Sequence, residues 1–120
     1  MLDKLRKYAS DVRDKDAPEK PGTFLVNLSG VSFDLRPLLI KNMTNDTLVR
    51  MARERTNEYD FYAVAVEAQV LGTWAKIGYL PTPFNVHVAR DLDNDLPVSI
   101  SLHQLVGEYP ACGVRVRIDK

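Results

Sequence analysis

The sequence predicts a mainly β fold with helices (α+β): a small OB-like or SH3-like β-barrel of about six strands, one inserted helix and an N-terminal amphipathic helix. Three observations carry this. Near the C-terminus, Val98-Ser-Ile-Ser-Leu-His103 and Val114-Arg-Val-Arg-Ile118 alternate apolar with polar or charged residues, the pattern of half-buried strands. Several short runs of strand formers precede them, separated by turn residues. A single internal segment shows the four-residue apolar spacing of a helix.

Leu2, Leu5, Tyr8, Ala9 and Val12 fall at three- and four-residue spacings and make one apolar stripe. From Asp14 to Gly22 the chain has two prolines, a glycine and no apolar side chain larger than Ala or Pro, which reads as a linker. Residues 1–22 are therefore expected to be a helix and linker, and residues 23–120 the barrel domain. A helix of about eleven residues is marginal alone, so it is expected to dock on the domain or pair with another copy, a route to a homo-oligomer.

Phe24-Leu-Val-Asn-Leu28 reads as a strand that ends at Ser29-Gly30. Leu35 to Ile40 is apolar but carries Pro37, and reads as a turn of helix or a bend. The polar cluster from Asn42 to Asp46 is a turn. Thr47 to Arg53 is expected to be a strand with Val49 and Met51 on one face and Arg50 on the other. Ala63-Val-Ala-Val66 reads as a buried strand, and Trp74 to Leu80 as another, ended by Pro81. The inserted helix opens at Thr82 or Pro83, where a proline loses no helical hydrogen bond. It repeats Phe84, Val88 and Leu92 with Ala89 beside them, and closes over Asp93 to Pro97.

With 120 residues the chain is long enough for one core. Sixteen Lys and Arg balance sixteen Asp and Glu, which excludes a strongly basic coat protein for bulk nucleic acid. One cysteine, Cys112, can form neither an internal disulfide nor a Cys-based zinc cluster, and a reducing cytoplasm is the expected compartment. The N-terminus is charged from Asp3 and has no apolar core for a signal peptide. No run approaches the roughly 18 to 20 apolar residues of a membrane span, and no membrane partner is expected.

Enzyme signatures are missing: no P-loop, GxGxxG, GxSxG or HExxH is present. His87 and His103 fall on different expected elements, with His103 facing solvent, and their spacing with Cys112 asks for no metal. Cys112 itself reads as a small buried hydrophobe. Asp91, Asp93 and Asp95 are spaced by two near a helix end; a loop could hold a divalent cation with them, but a solvated helix end is the simpler reading. No cofactor, metal or catalytic residue is assigned.

The segment from Arg53 to Ala63 is different. It puts Arg53, Arg55, Asn57, Asp60 and the rings of Tyr59, Phe61 and Tyr62 into one strand-to-strand connection. Loops on a rigid β scaffold commonly carry binding residues, and arginines with aromatics are the material of base stacking and phosphate contact. Two readings stand open on residue types alone: a binding loop, or a polar loop that caps one end of the barrel.

Arg53-Glu-Arg-Thr-Asn-Glu-Tyr-Asp-Phe-Tyr-Ala-Val-Ala-Val66, followed by Ile77-Gly-Tyr-Leu-Pro81, resembles the signature of the HIRAN domain family. That motif runs Arg-Glu-Pro-x-Asn-x-Tyr-Asp-x-x-Ala-x-x-Val, then Ile-Gly-Tyr-Leu-Pro. Leu28-Ser-Gly-Val-Ser-Phe33 looks like the exit of the family's first strand, and Gly113 to Ile118 like its closing strand. The resemblance spans about Phe24 to Ile118. The family occurs fused to SNF2-type helicases and nucleases, and as small free-standing bacterial and phage proteins.

The resemblance implies an OB-like barrel with flanking helices, which in the best-known eukaryotic members captures the 3′-hydroxyl end of single-stranded DNA in a shallow pocket. Tyr59 and Asp60 match the pair that meets the terminal nucleotide, the ring stacking on a base and the carboxylate accepting from the terminal hydroxyl. Phe33 falls where a stacking Tyr stands, Tyr79 where one member has His, and Asn57 matches a motif Asn expected to shape the loop. Three departures stand out. Ser32 replaces an Arg, Arg55 replaces the motif's Pro, and Phe61 and Tyr62 replace polar residues. The expected function is thus a non-catalytic nucleic-acid-binding module with Phe33, Arg53, Arg55, Asn57, Tyr59, Asp60 and Tyr79 at its site. Arg50, Arg115 and Arg117 are further candidate phosphate contacts, and a helicase or nuclease is the expected neighbour. The alternative is a protein-interaction or structural module that uses the same loop and the N-terminal helix.

Overall fold

A computed structural model describes residues 18–120; the expected N-terminal helix and most of its linker lie outside them. The element order is β1 (Thr23–Asn27), α1 (Arg36–Lys41), β2 (Val49–Arg53), β3 (Val64–Val70), β4 (Thr73–Tyr79), α2 (Phe84–Asp93), β5 (Ser99–Glu108) and β6 (Ala111–Asp119). The strands form two antiparallel three-stranded sheets, ordered β1-β6-β5 and β2-β3-β4.

The sheets do not close into the barrel that the strand count suggests. They are joined by one isolated bridge, in which Ser29 and Tyr79 exchange backbone hydrogen bonds of 2.8 and 2.9 Å. On the other side β2 and β5 lie close without a ladder. The five residues of β2 pair with β3, and β5 is kinked by a bulge between Leu102 and Gln104, which bends the strand and interrupts its pairing.

The core lies between the sheets. Val64, Val66, Ala68 and Val70 of β3 meet Ile77 of β4 and Val114, Val116 and Ile118 of β6. Phe84, Val88 and Ala89 of α2 close one end, and Ile40 and Met43 close another. The alternation of β6 holds as expected, with its three apolar residues buried and Arg117 exposed. In β5, Ile100 and Leu102 are half-buried while Ser99, Ser101 and His103 are exposed. Both β3 and β5 run further than their periodicity indicates, to Val70 and Glu108. The Pro37 segment is helical, with the proline in the first turn, where its missing N–H leaves nothing unsatisfied.

Gly78 controls how closely the two sheets approach at this bridge. A Cβ there would lie 2.7 Å from the Ser29 carbonyl oxygen, so only glycine lets the exit of β1 come this close to β4. That approach sets Phe33, which follows β1, near Tyr79, which ends β4.

Candidate functional site

The connection between β2 and β3 is held by its own side chains. Asn57 Oδ1 accepts from the backbone N–H of Tyr59 at 2.8 Å and of Asp60 at 3.0 Å, the turn an Asn makes by mimicking backbone. Asp60 Oδ1 accepts from the Tyr62 N–H at 2.8 Å, and its Oδ2 from Asn85 Nδ2, also at 2.8 Å. Asn85, in the first turn of α2, is 1% exposed and also donates to the Tyr62 carbonyl at 3.0 Å. Its Oδ1 is buried without a partner among the described residues.

Beside this loop is an open concavity of about 620 Å³, lined by Phe33, Tyr59, Tyr79, Asn57, Asp60 and Arg36, with Ser29, Gly30 and Asn85 among the remainder. Tyr59 is 89% exposed and Phe33 63%, so both rings offer a free face, although burying aromatic surface is ordinarily favourable. Tyr79 is fixed instead. Its hydroxyl donates to Glu54 Oε1 and accepts from Lys76 Nζ, both at 2.8 Å, and Lys76 pairs with Glu54 Oε2 at 2.6 Å. Burial alone would raise the Glu54 carboxyl, but hydrogen bonds from Lys76, Asn57 and Tyr79 hold it below the usual carboxylate range. Burial alone would likewise lower Lys76, and its bonds to Glu54 and Tyr79 raise it instead.

Five of the seven residues singled out in the sequence therefore share one surface: Phe33, Asn57, Tyr59, Asp60 and Tyr79. Arg53 and Arg55 are not on it. Arg53 donates to Asp93 through Nε at 3.1 Å and Nη2 at 3.2 Å, and through Nη1 to the carbonyls of Phe61 and Ala63. Arg55 reaches the same Asp93 at 2.9 Å. Hydrogen bonds from Arg55, and then from Arg53, outweigh desolvation and hold the Asp93 carboxyl below its usual range. Carboxylates within reach make these two arginines loop anchors.

The other arginines named as phosphate contacts do not line the concavity either. Arg50 pairs with Glu67 at 2.7 Å and covers the Trp74 ring at 4.2 Å. Arg117 pairs with Asp119, and Arg115 Nε is buried without a described partner. The three aspartates near the end of α2 serve separate ends: Asp91 binds Lys120 at 2.7 Å, Asp93 takes the two arginines, and Asp95 adopts a left-handed φ of 57°. Cys112 is half-buried.

Asn85 and Arg36 are among the lining residues that sequence reasoning missed. Asn85 stands one turn before Ala89, on the buried side of α2, and a polar residue at such a position is a signal in itself. Arg36 sits in an otherwise apolar segment, and nothing in the linear pattern marks it.

No family model matches the chain, and no curated protein does. Two solved structures do. The crystal structure of the HIRAN domain of human HLTF superposes with a TM-score of 0.60 at 20% identity, over 81% of this chain and 73% of that one. A structural-genomics protein from Lactobacillus plantarum gives 0.59, also at 20% identity, over 82% of this chain and all of its own. The order of strands and helices that brings Phe33, Tyr59 and Tyr79 to one concavity is thus a HIRAN-like fold.

Proposed function

We propose that this protein is a non-catalytic module that binds single-stranded nucleic acid and takes the 3′-hydroxyl end of a DNA strand into the concavity. One observation carries the reading: the exposed Tyr59 ring and the Asp60 carboxylate line the same open surface. A ring with a free face stacks on any base, for about 1 to 3 kcal/mol. A carboxylate accepts from a hydroxyl, which a strand end offers and an internal phosphodiester does not. Each Asp60 oxygen has one protein donor, and a carboxylate has about four acceptor sites in all, so capacity remains for a ligand. The HIRAN resemblance and the HIRAN-like fold support a nucleic-acid-binding role; a helicase or nuclease as neighbour and the cytoplasm as compartment are further parts of the proposal.

The test compares short oligonucleotides with free and 3′-phosphorylated ends by fluorescence anisotropy at low salt. A phosphate would set two negative charges against Asp60, so the free end should bind at least tenfold more tightly. Equal binding to both removes end recognition, and binding of neither removes the nucleic-acid reading.

A further inference from the structure

We infer that Arg36, at the start of α1, is the residue that takes the phosphate on the 5′ side of the terminal nucleotide. The inference rests on the end-binding reading and adds the contact that fixes the polarity of the strand.

Among the described residues that line the concavity, Arg36 is the one cation and Asp60 the one anion. Its Nη1 donates to the Gly30 carbonyl at 2.6 Å, and its guanidinium carbon lies 5.5 Å from the centre of the Tyr79 ring and 5.9 Å from that of Phe33. The side chain is thereby held in place. A guanidinium carries five N–H donors, and no described residue accepts from Nε or Nη2 of Arg36. Nor does Arg36 pair with any described carboxylate, in contrast to Arg50, Arg53, Arg55 and Arg117. A fixed, half-buried guanidinium with unspent donors fits the oxygens of a phosphate, which it can grip with two parallel N–H bonds.

The chemistry of one nucleotide joins the two charged groups. Its sugar bears the 3′-hydroxyl on one side and the 5′-phosphate on the other, with the base projecting between. Asp60 and Arg36 border a single concavity with the Phe33, Tyr59 and Tyr79 rings. Hydroxyl toward Asp60 and phosphate toward Arg36 satisfies both with one residue of DNA.

The experiment alters both partners. A fluorescent oligonucleotide with a free 3′ end is prepared with a natural last internucleotide linkage or with an uncharged methylphosphonate there. Each form is titrated against the parent, Arg36→Gln and Arg36→Lys across a salt series. The methylphosphonate should weaken the parent about tenfold and leave Arg36→Gln unchanged. Arg36→Gln should lower the slope of log K against log salt by about 0.7, the value for one single-strand phosphate contact. Arg36→Lys, which keeps the charge and loses the fork, should retain the slope at reduced affinity. Because the methylphosphonate leaves the protein untouched, a folding defect in a variant cannot imitate its effect. If the methylphosphonate weakens parent and Arg36→Gln equally, or weakens neither, the assignment of Arg36 is overturned while end binding stands. If the parent binds no oligonucleotide, end binding falls and takes this inference with it.

Discussion

On one side of the β2–β3 connection, Arg53 and Arg55 converge on Asp93 of α2. On the other, Tyr59 and Asp60 open onto the concavity. Both sides are built from charged and aromatic residues within one short stretch, and they behave oppositely because of their neighbours. Arg53 has 11% of its side chain exposed and four of its five N–H donors aimed at protein oxygens, whereas the Tyr59 ring is 89% exposed. The difference teaches that a loop dense in arginines and rings is not one binding surface. Half of it is the brace that lets the other half stay open without collapsing.

Asp60 belongs to both halves, so its removal should have the largest effect. Asp60→Ala strands the Tyr62 N–H and one of the two Nδ2 hydrogens of buried Asn85, the other staying on the Tyr62 carbonyl. Leaving such donors unpaired is expected to cost about 2 to 3 kcal/mol in urea unfolding, along with the preference for a free 3′ end. A variant as stable as the parent would show that the Asn85 clamp contributes nothing. Arg53→Ala should follow, at about 2 kcal/mol for the lost charge-assisted bonds to the Phe61 and Ala63 carbonyls. Its salt slope for oligonucleotide binding should match the parent's, because the side chain does not line the concavity.

Tyr59→Ala isolates the open half. A ring that is 89% exposed supports little packing, so stability should stay within about 0.5 kcal/mol of the parent. Binding should weaken by about 1 to 3 kcal/mol, the worth of one stack. Loss of stability without loss of binding would reverse the assignment of the two halves.

Much of this fold is legible in the linear pattern, and the reasons are local. The β6 alternation and the α2 spacing depend on which face of one element meets the core, and periodicity reports that directly. Barrel closure is not legible, because it depends on whether two distant edges pair, and the bulge in β5 leaves no mark at Leu102-His-Gln104. Within the site, Tyr59, Asp60 and Asn57 are recognisable by their order in a motif. Arg53 and Arg55 look like ligand contacts because their partner, Asp93, lies 40 and 38 residues away. Asn85 and Arg36 reach the concavity from helices that have no sequence link to the loop.

Acid should loosen the wall of the concavity. Glu54 has a folded pKa below its unfolded value, so its contribution is complete above about pH 4.3 and fades as pH falls through the lower folded value. Asp93 and Asp119 are shifted in the same direction and act in the same window. Thermal midpoints of parent and Glu54→Gln, measured from about pH 6 to pH 3, separate the Glu54 share: the parent should be the more stable at pH 6, and the gap should narrow toward pH 3. A constant gap would mean that the Lys76–Glu54–Tyr79 cluster does not depend on the carboxylate charge.

Arg55→Ala should do least, and that makes it the sharpest probe of the comparison. Its side chain is 60% exposed, and it shares Asp93 with Arg53. An exposed ion pair is screened by water and salt and holds a long side chain in place at an entropic cost. When Arg55 is removed, Asp93 keeps its two bonds from Arg53, so no carboxylate is left unpaired. The thermal midpoint should therefore match the parent's at physiological salt and fall slightly only at low ionic strength. Oligonucleotide affinity and its salt slope should not move. If they fall by the amount of one phosphate contact, Arg55 swings from Asp93 to the ligand, and the line between brace and open surface must be redrawn on its other side.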